Sequence, residues 1–153
     1  MRITNETLTR IRACEDQVQI FSLEWPDGCE VTVETILRAY SLGLNVDYVA
    51  TKVLRATTLA EYERARATAS DKYERATAPA WVEHKRATDS ALAEYLRARD
   101  SSAWALYERT RTTALAEYLR ALSPAWAEYS WARATPLVKL CSDPKNIRKS
   151  FLQ

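Results

Sequence analysis

Apolar residues recur every three or four positions through residues 1–56, as on one face of an α-helix. This pattern predicts three helices. The first would begin near Thr4, and its apolar residues are Leu8, Ile11, Val18 and Phe21. The second would begin near Thr32. The third would begin near Asn45, since Gly43 is typical of the position after a helix end and Asn is a good N-terminal cap.

From Leu59 onward the chain consists of imperfect eleven-residue repeats, with the consensus (Leu/Trp)-Ala-Glu-Tyr-x-Arg-Ala-x-x-x-Ala. Their fourth position is occupied by Tyr62, Tyr73, His84, Tyr95, Tyr107, Tyr118 and Tyr129. The spacing is eleven, except for twelve between Tyr95 and Tyr107. Because eleven residues complete three helical turns at about 3.67 residues each, the repeats predict helices with aromatic and small residues on one face and Glu and Arg opposite.

A break signal precedes each tryptophan at the first position of a repeat, at Pro79, Ser101-Ser102 and Pro124. Proline inside a helix costs about 3 kcal/mol, because it removes a backbone donor and clashes with the preceding turn. The repeats are therefore predicted to form helices of about 20 residues, each about 30 Å long. Two arrangements stay open, namely helices that fold back antiparallel or one long kinked helix.

The predicted fold is all-α. Ala, Arg, Glu and Leu dominate the composition and are good helix formers, whereas two glycines are few for a β-rich chain. Helix should exceed about two-thirds of the residues, against roughly one-third in ordinary domains. The predicted organisation is an N-terminal three-helix unit in residues 1–56, an array of amphipathic repeat helices in residues 57–136 and a loosely held basic tail in residues 137–153.

The charge of the chain is close to balanced, with a net charge of +2. Residues 1–56 carry six basic and eight acidic side chains, and residues 57–136 carry twelve and eleven. Residues 137–153 carry four and one, so only the tail is distinctly basic. Proteins that bind nucleic acid through phosphate contacts usually have a larger positive charge, at least regionally, so this balance disfavours that class.

The three cysteines, Cys14, Cys29 and Cys141, have neither the Cys-x-x-Cys spacing of a zinc site nor the even number of a disulfide framework. The chain opens without the apolar segment of a signal peptide, and no apolar run approaches the roughly 18 residues of a membrane span. We therefore expect a cytoplasmic protein without membrane attachment.

Residues 36–54 resemble a helix-turn-helix. The residues that match its packing positions are Ala39, Leu42, Gly43, Leu44 and Val49. Arg38 and Lys52 depart from the motif, which usually has apolar residues there. Asp47 lies at the start of the presumed reading helix, where its carboxylate would repel phosphates. Two packed helices joined by a glycine turn are the favoured interpretation, and DNA binding is the alternative.

The sequence has no recognisable catalytic or metal-binding constellation. His84 is the single histidine, occupies a tyrosine position of the repeats and has no carboxylate or cysteine partner at a defined spacing. A phosphate-binding loop, a metal signature and a nucleophile elbow are also missing from the sequence. We therefore expect a protein that is not an enzyme and that requires no cofactor and no metal.

Aromatic and arginine side chains of the repeats are the best candidates for binding, because these residue types most often supply the hot spots of protein interfaces. Arginines at the eighth position of the repeats flank the aromatic face, where they would be placed for cation–π contacts. The candidate binding residues, chosen from the middle of the array, are Tyr95, Arg99, Trp104, Tyr107 and Arg111.

Two distinctive features of the sequence occur together. One is the N-terminal run ACEDQVQIF, followed by WPDG and by VTVETILRAYSLGLNVDYVA, and the other is the AEYxRA unit with its Pro-Ala and Ser-Pro-Ala spacers. In both features, and over nearly its whole length, the chain resembles small proteins encoded by tailed phages and prophages. The resemblance implies an accessory protein that acts in the host cytoplasm by binding a host protein, including defence machinery.

The sequence supports three functional hypotheses. The leading one is a non-enzymatic protein-interaction module that modulates or inhibits a host factor. The second is a nucleic-acid-binding accessory protein that uses the helix-turn-helix-like unit or the basic tail. The third is a self-assembling structural protein, which would form homo-oligomers. The balanced charge favours the first hypothesis over the second, and the repeats keep the third open.

The chain is predicted not to bind a specific duplex DNA sequence at physiological salt, because Asp47 would face the phosphates and residues 1–56 carry a net negative charge. A gel shift with duplex libraries measures this. A preferred site bound with nanomolar affinity would contradict it. Weak binding that vanishes as salt rises, and on deletion of residues 142–153, would reflect only the charge of the tail.

Overall fold

The computed structural model describes residues 1–151, and 82% of these residues are helical, which confirms the all-α prediction. The helices are α1 (Asn5–Arg10), α2 (Glu15–Glu24), α3 (Val33–Ser41), α4 (Val46–Val53), α5 (Ala56–Ala98) and α6 (Ser101–Ser142). Two 3₁₀ turns follow at Pro144–Asn146 and Lys149–Phe151. A two-stranded antiparallel sheet pairs β1 (Arg2–Ile3) with β2 (Cys29–Glu30).

The chain divides into two compact units. The terminal unit consists of Met1–Ala69 and Ser130–Gln153, and the hairpin unit consists of Ser70–Tyr129. The units differ from the predicted segments 1–56, 57–136 and 137–153, because the first turns of α5 and the last turns of α6 belong to the terminal unit. The side chains that bind these turns into its core, each at most 4% exposed, are Tyr62, Ala69, Ala134 and Leu137.

The first predicted helix is in fact two helices, α1 and α2. The predicted apolar face is confirmed, since Leu8, Ile11 and Phe21 are buried in one apolar cluster. However, Arg12 adopts the left-handed conformation, with φ of 58°, and Ala13 N–H donates to the Leu8 carbonyl at 3.0 Å. This is the Schellman arrangement that closes helix ends, and it usually contains glycine. Because arginine occupies the position here, the helix end was not visible in the sequence pattern.

The second and third predicted helices begin where the sequence places them. Thr32 caps α3, since its hydroxyl accepts from Thr35 N–H at 3.2 Å. Asn45 caps α4, since its side-chain oxygen accepts from Tyr48 N–H at 3.0 Å. Between these helices Gly43 has φ of 74°, the left-handed conformation expected after a helix end. The two helices therefore form the predicted pair joined by a glycine turn.

The predicted helix ends near Pro79 and Pro124 are wrong, because α5 and α6 continue through these prolines. The two helices have 43 and 42 residues, about twice the predicted length. Pro79 and Pro124 are both exposed, so water can bond to the carbonyl groups that they leave without a helical donor. Packing between the long helices in the hairpin unit offsets the remaining cost of each proline.

The predicted break near Ser101-Ser102 is confirmed, and it forms the turn of a helical hairpin. Arg99 follows α5 in the left-handed conformation, with φ of 53°, and its N–H donates to the Tyr95 carbonyl at 2.7 Å. Asp100 then caps α6, since its carboxylate accepts from Ala103 N–H at 2.8 Å. The extra residue of the twelve-residue spacing lies in this turn. Of the two arrangements left open, the structure has the antiparallel one.

The prediction of a loosely held tail in residues 137–153 is wrong for the part that the structure describes. Leu137 belongs to α6 and is 4% exposed. Beyond the helix, Ile147 is 1% exposed and forms a β-bridge with Leu54. The guanidinium of Arg148 donates to the Leu54 carbonyl at 2.9 Å. Burial of an apolar side chain and pairing of backbone groups therefore hold this basic segment on the core.

A partly buried ion pair joins α4 to α6 in the terminal unit. The Asp47 carboxylate binds the guanidinium of Arg133, whose side chain is 9% exposed. The Tyr62 hydroxyl donates to the same carboxylate at 2.5 Å, and the guanidinium of Arg66 lies 3.5 Å from it. The Arg133 guanidinium also lies over the Tyr40 ring, 4.7 Å from its centre. Residues from four helices thus meet around this ion pair.

The partners of Asp47 keep its carboxylate ionised. Burial by itself would raise the pKa of Asp47, but the hydrogen bonds from Tyr62 and Arg133, with the charges of Arg133 and Arg66, outweigh burial and lower the pKa. The pKa of Tyr62 is raised, first by burial and then by Tyr40 and Asp47, so its hydroxyl stays protonated as a donor. Burial would lower the pKa of Arg133, but its bond to Asp47 raises it.

Asp47→Asn is expected to destabilise the protein by about 3 kcal/mol at pH 7, because Arg133 loses its charged partner in a buried site. The effect should depend on pH. Since the pKa of Asp47 is lowered by folding, its stabilisation is complete above the unfolded pKa of about 3.9 and is lost as pH falls through the lower folded pKa. Urea unfolding at a series of pH values down to about pH 2 measures both effects.

Asp71→Asn is the matched control, since Asp71 is exposed on α5, and it should change stability little at any of these pH values. The loss of stability in acid should be smaller in Asp47→Asn than in the wild type. Equal stability of Asp47→Asn and wild type at pH 7 would contradict the assigned role of the ion pair.

Candidate functional site

The fourth-position residues of the repeats meet in pairs across the hairpin unit. The distances between ring centres are 5.2 Å for Tyr73 and Tyr129, 5.4 Å for His84 and Tyr118, and 6.3 Å for Tyr95 and Tyr107. Each pair joins one residue of α5 to one residue of α6. Because consecutive pairs are eleven residues apart along each helix, they form three layers about 16 Å apart.

Each layer contains one tryptophan from the first position of a repeat. The ring centres of Trp126 and Tyr73 are 6.1 Å apart, those of Trp81 and Tyr118 are 5.8 Å apart, and those of Trp104 and Tyr95 are 5.1 Å apart. In every case the tyrosine lies on the opposite helix. The tryptophans therefore alternate between α6 and α5 from layer to layer. This alternation explains why Trp occupies the first position in every second repeat along the chain.

Alanine at the eleventh position of the repeats lies between the layers. Ala91 and Ala114 are buried, and Ala80 and Ala125 are half-buried. The distance between packed helices depends on the size of the side chains at their contact, and alanine allows a close approach. The interface of the hairpin unit thus consists of aromatic layers separated by small side chains, as the predicted stripe of aromatic and small residues requires.

The tryptophans are only partly covered by their contacts within the layers. Trp81 is 51% exposed, and Trp104 and Trp126 are each 47% exposed. An antiparallel pair of helices with the same repeat has approximate twofold symmetry, which places equivalent positions of α5 and α6 on the same face. The three tryptophans therefore lie along one face of the hairpin unit.

Leucines extend this face. Leu92 and Leu115 occupy the first position of the intervening repeats, and one turn later Leu96 and Leu119 are 53% and 56% exposed. We name these residues the Trp/Leu face, which consists of Trp81, Leu92, Leu96, Trp104, Leu115, Leu119 and Trp126. A unit of two helices buries only the surface between them, so this second apolar surface faces solvent.

Three of the candidate binding residues come together in the layer nearest the turn. Tyr95, Trp104 and Tyr107 have ring centres separated by 5.1 to 6.3 Å. The two tyrosines are half-buried, whereas Trp104 belongs to the exposed Trp/Leu face. The structure therefore places Trp104 where a partner can reach it, and it places both tyrosines mainly within the interface of the hairpin.

The two candidate arginines are not part of this layer. Arg99 lies in the turn, and its Nε donates to the Leu96 carbonyl at 3.3 Å. The guanidinium of Arg111 pairs with Glu108 at 3.5 Å. Within residues 1–151 neither guanidinium lies over an aromatic ring, whereas Arg133, another eighth-position arginine, does. Arg133 makes this contact with Tyr40 of α3, and not with a ring of the repeats as predicted.

The candidate residues predicted from the sequence belong mainly to one layer and include little of the Trp/Leu face. Candidates taken from the middle of the array share a position along the chain, whereas an interaction surface runs along one side of the helices. A usable signal was present, since Leu or Trp fills the first position of six of the seven repeats and Leu96 and Leu119 follow one turn later.

The hairpin unit has no excess of positive charge. It contains nine basic and nine acidic side chains. Some of these pair along one helix, as Lys85 does with Asp89 at 2.6 Å and Arg86 with Glu83 at 3.7 Å. A surface that follows a nucleic-acid backbone needs unpaired cations, so this distribution is more typical of a protein-binding surface.

The helix-turn-helix-like segment does not present a reading helix. Of the eight residues of α4, only Lys52 is exposed. Its ammonium group lies over the Tyr48 ring, 5.2 Å from the centre. Asp47 is held by the ion pair with Arg133. A helix that enters the major groove needs several exposed side chains along one face, and α4 uses its surface for packing instead.

Within residues 1–151, no group of three or more His, Cys, Asp or Glu side chains is placed to hold a metal ion. Burial raises the pKa of the Cys29 thiol, and burial raises that of Cys141 to about 11, so neither is an activated thiolate. His84 stacks on Tyr118 and lies against Trp81.

None of the helices in the described part of the chain is long and apolar enough to cross a membrane. Comparison of the chain with family models, with curated proteins and with solved structures gives no match.

His84→Tyr is expected to stabilise the protein by about 1 kcal/mol, because the buried Nδ1 of His84 has no hydrogen-bond partner among residues 1–151. Tyrosine would restore the repeat consensus and enlarge the contact with Tyr118. Thermal unfolding followed by circular dichroism should show a melting temperature raised by a few degrees. The reverse exchange in the neighbouring layer, Tyr95→His, should lower it. A lower melting temperature for His84→Tyr would show that histidine is required there.

Proposed function

We propose that the protein is a non-enzymatic interaction module that binds a partner protein through the Trp/Leu face. The observation that carries this proposal is that three tryptophans, each about half exposed, lie along one face of the hairpin unit. Contiguous exposed apolar surface marks interaction sites in proteins, and tryptophan is among the residues that most often dominate binding energy. Each tryptophan is also held against a tyrosine, so little side-chain freedom is lost on binding.

The geometry of the Trp/Leu face suits a partner that offers an apolar helix or groove. Leu92 with Leu96, and Leu115 with Leu119, are pairs four residues apart on continuous helices. A third helix that packs along such pairs converts a two-helix unit into a bundle with a buried core. The partner surface would be apolar at its centre and of mixed charge at its rim, since the hairpin unit is neutral.

The proposed partner is a host protein, and the proposed effect is modulation or inhibition of a host factor, including a defence factor. This part of the proposal is supported by the resemblance to small phage and prophage proteins. The protein would act stoichiometrically, by covering a surface of its partner. The balanced charge of the hairpin unit and the buried surface of α4 make nucleic acid the weaker alternative.

Leu96→Ser/Leu119→Ser is expected to weaken partner binding by about tenfold to a hundredfold without unfolding the protein, because both leucines are exposed on the Trp/Leu face. A partner captured from the host would be purified and titrated calorimetrically with wild type and variant. Leu23→Ser is the matched control, since Leu23 is 80% exposed in the terminal unit and should leave affinity unchanged.

The same titration tests the candidate arginines and the competing functions. Arg99→Ala/Arg111→Ala should weaken binding less than the leucine exchange, because Arg99 lies in the turn and the guanidinium of Arg111 pairs with Glu108. If the protein forms dimers or filaments that disperse in Leu96→Ser/Leu119→Ser, the face serves self-assembly instead. Turnover of a small molecule or nucleic acid by catalytic amounts of protein would overturn the interaction proposal.

A further inference from the structure

The core of the terminal unit is split into two apolar clusters. One is centred on Ile3, Leu8 and Phe21, and the other on Ile36 and Val53. A cavity of about 690 Å³ lies in this unit and is lined by residues of both clusters. The two clusters therefore border one cavity, which is partly open to solvent.

The volume of this cavity is far larger than a packing defect. Protein interiors are packed as densely as organic crystals, and few of their voids exceed a water molecule. Cavities that bind small molecules measure about 300 to 1,000 Å³, and the cavity in the terminal unit falls within that range. Its size is therefore that of a ligand site.

The chemistry of the lining distinguishes the interior of the cavity from its rim. The interior is apolar and includes Phe21, Trp25 and Val31. The lining residues that are exposed to solvent, and so form the rim, include Arg12 and Asp16. The lining also includes Met1, whose ammonium group pairs with Glu30 at 3.5 Å, so the charges at the cavity are balanced and give no preference for a charged ligand group. An apolar interior rejects a charged group.

Polar groups near the rim are held in place by hydrogen bonds. The Gln17 side chain accepts from Asn45 N–H at 2.7 Å and donates to the Gly43 carbonyl at 3.4 Å. The Tyr48 hydroxyl donates to the Ile11 carbonyl at 2.6 Å. These bonds connect α2 and α4 to the turns beside the cavity. The polar groups at the opening of the cavity are therefore held in fixed positions. Arg12, whose backbone has the left-handed conformation, lies in one of these turns.

We propose that this cavity binds a small uncharged molecule with an apolar body and a single hydrogen-bonding end, such as a medium-chain alcohol. The apolar body would lie between the two clusters, and the polar end would lie at the rim beside Gln17 and Asn45. Ionised acids and amines of the same length would bind more weakly, because the rim is neutral overall and the interior cannot solvate a charge.

The three cysteines of the chain provide a direct readout, because Cys14, Cys29 and Cys141 all line the cavity. Cys141 is buried and Cys29 is half-buried. A bound molecule should slow the alkylation of Cys29 and Cys141 from within the cavity. The full-length protein would be treated with iodoacetamide, with and without 1-decanol or decanoate, and the modified cysteines would be identified by mass spectrometry.

We expect 1-decanol to slow alkylation of Cys29 and Cys141 by at least about tenfold at saturation, and decanoate to have a much smaller effect at the same concentration. Ala39→Phe, which adds a ring at a lining position, should abolish the protection by 1-decanol and should not lower the melting temperature. Ala60→Phe, at an exposed position of α5, is the matched control and should retain protection.

Three results would overturn the proposal. Alkylation that is equally fast with and without 1-decanol would show that no molecule of this class enters. Equal protection by decanoate would show that the site does not select an uncharged end. If Ala39→Phe is strongly destabilised, pressure unfolding of the wild type tests the cavity instead. A small volume change on unfolding would show that the core contains no such cavity in solution.

Discussion

The contact on which the hairpin unit depends is the stacking of the fourth-position rings of α5 against those of α6. Helices that carry an aromatic residue every eleven positions can pair in several registers, each displaced by one repeat. The turn at Arg99 and Asp100 selects the register in which every layer receives one tryptophan. A displacement by one repeat would place two tryptophans in some layers and none in others, so the alternation of Trp and Leu specifies the pairing against its competitors.

The same repeat that sets the register also leaves an apolar surface uncovered. A hairpin has one internal interface, and its fourth and eleventh positions fill it with rings and alanines. The first position lies beside that interface, so Trp and Leu there are only partly buried. Side chains at this position would need a third helix to be covered fully, and a partner protein is the proposed source of that cover.

In the terminal unit, polar and apolar groups have separate roles. The carboxylate of Asp47 accepts hydrogen bonds from donors on α5 and α6. Because the charge of Arg133 would destabilise the fold if it were buried without a partner, Asp47 must remain beside it. Such a pair contributes to the choice of one arrangement of helices. The apolar residues of this unit form two clusters that border one cavity, so its core has room for a small molecule.

The sequence by itself determined the features that depend on neighbouring residues. The caps at Thr32 and Asn45, the glycine turn at Gly43 and the aromatic stripe of the repeats could all be predicted, because each rests on bonds or contacts within a few positions. Only the tertiary structure decided whether Pro79 would break a helix, which partner Asp47 would take and whether Ile147 would be buried. These outcomes depend on contacts with residues far away in the chain, whose energies local patterns do not contain. The exposure of the Trp/Leu face was also decided only by the tertiary structure, since it depends on how many helices pack together.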